Sequence, residues 1–120
     1  PRLPLRPAMI MTERKPVSIG EMLVTEFMEP MNITQTALAD AMGVPRKHAN
    51  ELCNNRRRIT ADTALILARV FGNSAAFWIN LQTRNDLWEA LNTPERRERI
   101  DRAHQLRSPI AKLDATNITP

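Results

Sequence analysis

The sequence predicts an all-α domain of five to six short helices. Apolar residues recur at helical spacing in several segments, and most of these segments follow a Ser or Thr that can cap a helix. Glycine occurs only three times in 120 residues, and aromatic residues make up 4%, a composition that suits short helices better than a β-sandwich. The hydrophobic fraction of 42% and the charged fraction of 25% are ordinary for one globular domain of this length.

The first predicted helix begins at Ser18, which forms a Ser-x-x-Glu capping box with Glu21. We expect Pro30 and Asn32 to end this helix, because proline cannot continue the hydrogen-bond ladder. Its buried face is predicted to consist of Ile19, Met22, Leu23 and Phe27.

Residues 35–54 predict two short helices joined at Gly43. Thr34 can cap the first of them. Its inward residues, at helical spacing, are Leu38, Ala39 and Met42. Gly43 can adopt the left-handed conformation that ends a helix at little steric cost. Val44 is placed to fill the gap between the helices, and Pro45 suits the first turn of the second helix.

The second helix of this pair has an apolar inner face and a polar outer face. Ala49 and Leu52 turn inward, and the outer residues are Arg46, Lys47, Asn50 and Glu51. Two helices joined in this way describe a helix-turn-helix, whose second helix enters the major groove of DNA. Residues 46–58 contain five basic residues and one acid, a net charge of +4 that equals the charge of the whole chain. This concentration of positive charge indicates an anionic partner.

Two further helices follow. Thr60 can cap the fourth, Asp62 lies near its positive end, and Gly72 can end it. Its inward side is predicted to consist of Ala64, Leu65, Leu67, Ala68 and Phe71. Ser74 can cap a fifth helix that we expect to run to about Asn92.

The fifth helix carries both tryptophans of the chain, within one apolar stripe. The stripe consists of Phe77, Trp78, Ile79, Leu81, Leu87, Trp88 and Leu91. Such a stripe either completes the core or forms a surface for a partner. We expect Phe77 and Trp78 to complete the core. We predict a homodimer interface at Leu87, Trp88 and Leu91.

A last helix is predicted to begin at Thr93 and Pro94. Its arginines could form a second nucleic-acid patch. However, residues of opposite charge lie four positions apart, which favours a solvated helix. These pairs are Glu95–Arg99 and Glu98–Arg102.

The composition of the chain ends differs from that of the middle. Residues 1–17 contain four prolines and no periodic apolar pattern, so we expect a flexible basic arm. Such an arm could contact DNA or a protein partner, but a disordered end is the more common case. Residues 1–10 are either native or partly vector-derived. We therefore divide the chain into this arm, a helix-turn-helix domain with a C-terminal dimerisation helix (18–92), and a charged terminal helix with a frayed tail (93–120).

We find no arrangement of residues that would support an enzyme, a metal site or a cofactor. The only histidines are His48, in the predicted DNA-facing helix, and His104 near the tail. His48 could touch a phosphate, although a surface histidine is the commoner case. Cys53 is expected to be a half-buried helix residue, and a single cysteine allows no internal disulfide, which fits a reducing cytoplasm. No apolar run is long enough for a membrane span.

Residues 35–54 resemble the helix-turn-helix of phage-repressor-type (Cro/C1, or XRE) regulators. The longer segment from about residue 16 to 91 resembles the HigA-type antitoxins of bacterial toxin–antitoxin operons. The residues that carry this resemblance are 16–23, 26–31, 58–65, 68–72 and 77–82. The last of these blocks separates the subfamily from general repressors. Nothing matches before Met11 or after about Leu106.

The resemblance implies a fold of the lambda-repressor-like helix-turn-helix type. It also implies a cytoplasmic, nucleoid-associated homodimer that binds double-stranded operator DNA and represses its own operon. A further implied partner is a small basic toxin of the HigB type, a RelE-like enzyme that cleaves mRNA on ribosomes. Two alternatives remain open, namely a stand-alone XRE-type repressor without a toxin and a protein-interaction module whose basic face is incidental.

The resemblance also assigns residues to DNA. The first turns of the second motif helix supply base contacts, which here are Arg46, Lys47, Asn50 and Glu51. Arg and Lys suit guanine, Asn suits adenine, and Glu can accept from cytosine N4. Phosphate contacts are expected from Gln35, Thr36, His48, Asn55, Arg56 and Arg57. One departure is Pro45, which stands where many relatives have a Ser or Thr cap, and this makes the entry angle of the helix harder to predict.

Overall fold

The structure, a computed structural model, describes residues 14–106, and every regular element in that range is helical. The predicted all-α class is therefore confirmed. The chain divides into two compact units, of which the first contains the described residues 14–89 and the second residues 90–106. Most of the predicted arm (1–13) and the end of the predicted tail (107–120) lie outside the described residues.

Helix α1 consists of three consecutive pieces, namely Ile19–Glu21, a π-helical stretch Met22–Met28, and Glu29–Met31. Ser18 Oγ accepts the N–H of Glu21 at 3.1 Å, so the predicted cap is confirmed. Helix α1 ends at Asn32, whose φ is 57°, so this part of the prediction is confirmed, whereas the expectation that Pro30 already ends the helix is wrong because α1 continues to Met31. Pro30 follows the π-helical stretch directly and lies in the first turn of the piece Glu29–Met31, a position that tolerates proline.

Four more helices follow: α2 (Gln35–Met42), α3 (Arg46–Cys53), α4 (Ala61–Phe71) and α5 (Ala75–Leu91). The hydroxyls of Thr34, Thr60 and Ser74 accept backbone N–H groups at the starts of α2, α4 and α5, as predicted. Gly43 and Gly72 end α2 and α4 with φ of 72° and 73°, the left-handed region that other residues enter with strain.

The start of α3 differs in one detail from the prediction. Pro45 is the N-cap residue, with φ −65° and ψ 152°, rather than the first helical residue. An extended N-cap suits proline, since its fixed φ is compatible with that conformation. No side chain caps α3, as expected from the absence of a Ser or Thr at this position.

The core of the first unit is built from α1 to α5. Its buried apolar residues are Ile19, Leu23, Met28, Leu38, Ala39, Met42, Ala49, Leu52, Ile59, Ala64, Leu67, Trp78 and Leu81. Trp78 is fully buried, and its indole N–H donates to Asn73 Oδ1 at 3.0 Å. The rings of Phe27, Phe71 and Phe77 surround it at centroid distances of 5.0 to 6.1 Å. The prediction that Phe77 and Trp78 complete the core is confirmed.

Leu65 and Met28 are two of the residues that depart from the predicted core. Leu65 was expected to point inward but is 61% exposed, because the buried face of α4 is set by Thr63, Ala64 and Leu67. Met28 is buried although it is absent from the predicted face of α1. The π-helical stretch has more residues per turn than an α-helix, and this shifts the inward face at the end of α1.

Helix α6 (Pro94–Arg102) belongs to the second unit and has no buried residue, as a solvated helix should. Of the two predicted ion pairs, Glu98–Arg102 forms at 3.7 Å. The predicted Glu95–Arg99 pair is absent from the described residues, and Arg97 instead pairs with Asp101 at 3.2 Å. None of the helices within residues 14–106 is both long and apolar enough to cross a lipid bilayer.

Candidate nucleic-acid interface

Helices α2 and α3 pack closely around a tight turn. Leu38, Ala49 and Leu52 are fully buried between them and the rest of the core, and Ala39 is 2% exposed. The N–H of Val44 donates to the Ala39 carbonyl at 3.0 Å, and the Val44 side chain is half-buried against the core. The turn therefore fixes the direction of α3, and the helix-turn-helix predicted from the spacing is present.

The four predicted base-contact residues share the outer side of α3. Arg46 and Lys47 are exposed, and 83% of the Lys47 side chain is accessible. Asn50 and Glu51 are half-buried and already have partners within the chain. In the free protein, therefore, Arg46 has no acidic partner among the described residues, Lys47 forms only an exposed ion pair with Glu51 at 4.0 Å, and the other two side chains are engaged.

Asn50 is engaged with the first residue of α2. Its Nδ2 donates to Gln35 Oε1 at 2.9 Å. This leaves Asn50 with its oxygen and one N–H, and leaves Gln35 with its two amide N–H donors. One oxygen and one N–H suffice for a bidentate contact with adenine, and amide donors suit a phosphate. The sequence assigned both residues to DNA but gave no sign of the hydrogen bond between them. Thr36 lies beside Gln35 and is exposed.

Glu51 forms an ion pair with Arg57 of the loop after α3. The Nε and Nη2 atoms of Arg57 both lie 2.9 Å from Glu51 Oε1. Lys47 Nζ lies 4.0 Å from the other carboxylate oxygen. The sequence placed Glu51 on a base and Arg57 on a phosphate, whereas the free protein brings them together.

His48 lies next to this pair. Its Nε2 atom is buried and has no hydrogen-bond partner within the described part of the chain. Burial lowers the pKa of His48, the positive charge of Arg57 lowers it further, and Glu51 partly opposes both effects. A neutral imidazole is therefore favoured near pH 7. It can donate one hydrogen bond to a phosphate but cannot form an ion pair with it.

Two arginines of the loop have contrasting surroundings. Arg56 is exposed, and its guanidinium has no acidic partner among residues 14–106. Arg58 forms a bidentate contact with Asp86 of α5, with N–O distances of 2.7 and 2.8 Å. This hydrogen-bonded carboxylate raises the pKa of Arg58. Gln82 of α5 also accepts the N–H of Ile59 at 2.9 Å, so α5 holds the end of the loop.

Asn55 holds the beginning of the loop. Its backbone is left-handed, with φ 58°. Its side-chain oxygen accepts the N–H of Gly20 at 2.8 Å, and its amide nitrogen donates to Ser18 Oγ at 3.1 Å. Both ends of the Asn55 amide are therefore bound to the start of α1 in the free protein.

The predicted dimer residues lie near the end of α5. Leu87 is 39% exposed, and Trp88 and Leu91 are half-buried. Lys15 Nζ lies 5.7 Å from the centroid of a Trp88 ring, within the range of a cation–π contact. Leu87 thus offers exposed apolar surface, while part of Trp88 is covered within the chain.

The described residues contain no group of three or more His, Cys, Asp or Glu side chains placed to hold a metal ion. Cys53 is half-buried as predicted, with its Sγ 3.6 Å from Met28 Sδ. Burial raises the pKa of the Cys53 thiol, so the nucleophilic thiolate is disfavoured.

Comparison with known proteins gives consistent results. The HTH_3 family of helix-turn-helix domains matches residues 24–78. Antitoxin HigA-1 of Vibrio cholerae serotype O1 is 51% identical over 81 residues, which cover 68% of this chain and 76% of the relative. The structure of Pseudomonas aeruginosa antitoxin HigA with the higBA promoter is 34% identical, with a TM-score of 0.69, and covers 76% of this chain and 99% of that one. Antitoxin GraA in complex with its operator is also 34% identical, with a TM-score of 0.71, and covers 79% of this chain and 95% of that one. The chain therefore belongs to the HigA-type antitoxins of the XRE-type helix-turn-helix family.

Proposed function

We propose that this protein is an antitoxin and autorepressor. It binds operator DNA as a homodimer through α3, represses its own operon, and neutralises a small basic toxin of the HigB/RelE type that cleaves mRNA. The observation that carries the DNA-binding part is the outer face of α3, where exposed Arg46 and Lys47 lie on a helix whose inner residues, Ala49 and Leu52, are fully buried. Two solved relatives, a HigA with its promoter and GraA with its operator, support the same function.

On DNA, each side chain of α3 has a role that suits its chemistry. Arg46 and Lys47 read guanine O6 and N7, and Asn50 reads adenine while Gln35 steadies its amide. Glu51 reaches cytosine N4 only after it releases Arg57, because the ion pair occupies its carboxylate in the free protein. Phosphate contacts are proposed for Gln35, Thr36, His48, Arg56 and Arg57.

The homodimer is proposed to form through Leu87, Trp88 and Leu91. Exposed Leu87 supports this, because a partner would cover it. Two α3 helices would then lie about 34 Å apart, one turn of B-DNA, on a palindromic operator. We accordingly propose residues 18–92 as the DNA-binding and dimerisation domain, between an arm (1–17) and a charged terminal region (93–120).

DNA binding is tested with the fragment upstream of the protein's own gene. We expect a protected palindrome with two half-sites about 10 base pairs apart, and an affinity at least about 1,000-fold above that for scrambled DNA. Leu87→Asp should leave the monomer folded and abolish binding to the full palindrome, because a charge would be buried in the interface. Equal affinity for operator and scrambled DNA would refute the repressor function.

The toxin part is tested by purifying the tagged full chain from its native host at moderate salt after nuclease treatment. We expect a stoichiometric small basic protein that cleaves mRNA on ribosomes once it is released. Arg46→Ala is the matched control, since it should weaken DNA binding and still retain the toxin. Recovery of the dimer alone, with operator binding intact, would refute the antitoxin function and leave a stand-alone repressor.

A further inference from the structure

The start of α1 packs directly against the end of α3. A Cβ atom placed on Gly20 would clash with the backbone carbonyl of Cys53, the last residue of α3. Only glycine allows this approach, because any larger residue would push the two helices apart. The contact therefore places the first turn of α1 beside the exit of the proposed recognition helix.

Asn55 satisfies a donor at this junction that α1 cannot satisfy itself. The first backbone N–H groups of a helix have no partner within the helix. Ser18 Oγ accepts the N–H of Glu21, and Asn55 Oδ1 accepts the N–H of Gly20 at 2.8 Å. Asn55 Nδ2 then donates to Ser18 Oγ at 3.1 Å, which closes the arrangement. We call the two hydrogen bonds from Asn55, to Gly20 and to Ser18, the Asn55 clip.

The clip acts on the segment that leads into the basic loop. Asn55 adopts φ 58°, a conformation that asparagine tolerates better than most residues. Arg56 follows directly, and its N–H donates to the Glu51 carbonyl at 2.8 Å. Any rotation of Asn55 would therefore redirect the chain that carries Arg56 and Arg57.

We propose that Asn55 is a positioning residue for DNA binding, and that it holds the loop in place through α1 rather than by contact with a phosphate. This inference rests on the proposed DNA-binding function. The clip organises Arg56 and Arg57 before DNA arrives, which lowers the cost of ordering them in the complex. Its loss weakens binding to every DNA sequence, because the loop arginines that it positions contact phosphates, which carry no sequence information. A direct phosphate contact by Asn55 would have the same effect, but that effect would not depend on Ser18.

The first variant is Asn55→Gly, which removes the amide and keeps a residue that accepts φ 58° without strain. We expect a loss of about 3- to 10-fold in operator affinity, since two hydrogen bonds are removed, and a similar loss on scrambled DNA, because Arg56 and Arg57 contact phosphates of any sequence. Hydrogen exchange of the Gly20 amide should become faster in the free protein. Unchanged Gly20 exchange, or unchanged affinity for the operator, would refute the clip.

The second variant breaks the clip from the α1 side. Ser18→Ala removes the acceptor of Asn55 Nδ2 and also the cap of α1. Ser74→Ala is the matched control, because Ser74 caps α5 through a hydrogen bond of the same 3.1 Å length and makes no contact with Asn55. We expect Ser18→Ala to lower operator affinity at least about 2-fold, in line with one lost hydrogen bond, and Ser74→Ala to leave it unchanged.

The double variant Ser18→Ala/Asn55→Gly decides whether the two residues act together. We expect its operator affinity to equal that of Asn55→Gly, because both changes break one clip. The positioning role would be refuted if the losses in operator affinity of the two single variants added up in the double variant. It would also be refuted if Ser18→Ala bound the operator as tightly as Ser74→Ala; in both cases the DNA-binding function would stand.

A wild-type protein that does not bind the operator would refute the proposed function itself. The positioning role would then fall with it, even if Gly20 exchange showed that the clip forms.

Discussion

Two regions of this protein are rich in arginine, and their surroundings differ. The loop after α3 contains Arg56, Arg57 and Arg58, and together with α3 it has a net charge of +4. Helix α6 contains four arginines and three acids, a net charge of only +1. In α6, the acids lie one turn from the arginines on the same helix, and two pairs form at 3.2 and 3.7 Å. The number of arginines is thus a poor guide to an anion-binding surface, and the net local charge is a better one.

The pairing within the first region is selective. Arg57 and Arg58 have carboxylate partners, Glu51 and Asp86, whereas Arg46 and Arg56 have none among the described residues. We infer three classes of arginine in this region. Arg46 and Arg56 can bind DNA directly, Arg57 can bind it after it leaves Glu51, and Arg58 stays bound to Asp86 and stabilises the fold. Substitutions in α3, in the loop and in α6 test this classification of the arginines.

Arg46→Ala should have the largest effect, and Lys47→Ala a similar one. Each is expected to weaken operator binding by about 1–3 kcal/mol and to relax the preference at one base pair. Scrambled DNA should be affected much less. The matched control is Arg96→Ala in α6, which should bind the operator as the wild type does. Equal losses on operator and scrambled DNA, measured by fluorescence anisotropy, would contradict a base-reading role for Arg46.

Arg56→Ala should weaken binding to all DNA sequences and reduce the slope of log K against log salt by about 1. Arg57→Ala should act in the same direction but more weakly, because Arg57 must first leave Glu51. Titrations at several salt concentrations measure both slopes, with Arg99→Ala in α6 as the control. The distinction between the loop arginines and the α6 arginines would be wrong if Arg99→Ala changed the slope as much as Arg56→Ala does.

Glu51→Gln should release Arg57 and increase affinity for scrambled DNA by about 2- to 5-fold, the range expected for a partly exposed ion pair. The specificity ratio between operator and scrambled DNA should fall. Asp101→Gln breaks an arginine pair in α6 and serves as the control without effect. A decrease in affinity for scrambled DNA would show that Glu51 does not restrain Arg57.

The smallest effect concerns pH. The pKa of His48 is lower in the folded protein than the usual 6.5, chiefly because of burial. At acidic pH, His48 therefore binds more protons in the unfolded chain than in the folded protein. Its favourable contribution to the free energy of unfolding is fully present above about pH 6.5 and is lost as the pH falls below that value. Melting temperatures between pH 7 and 5 should fall more steeply for the wild type than for His48→Gln. His104→Gln, at an exposed residue outside α3, should retain the wild-type slope.

Much of the fold could be predicted from local signals. The caps at Thr34, Thr60 and Ser74 and the left-handed glycines at 43 and 72 depend on neighbouring residues only, so the sequence contains them. The course of α1 at Pro30 and the exposure of Leu65 were mispredicted because neighbouring residues alone do not determine them. The π-helical stretch before Pro30 and the choice of the side of α4 that faces the core depend on how each helix packs in three dimensions.

The same limit applies to the candidate site. The outer face of α3 follows from helical periodicity, and the structure places its four predicted residues there. The partners of those residues could not be predicted. Asn50 and Gln35 are 15 residues apart, and Asn55 and Gly20 are 35 apart, so no spacing rule connects them. A stretch of residues shows which side chains face outward, but not which of them already bind one another.

Whether α3 reads DNA is tested by comparing wild-type and Arg46→Ala proteins on the operator and on a scrambled duplex at one salt concentration. We expect the wild type to prefer the operator at least about 1,000-fold, and we expect Arg46→Ala to lose affinity almost entirely on the operator. An unchanged operator preference in Arg46→Ala would contradict this expectation, because the exposed face of α3 would then not be the surface that reads the sequence.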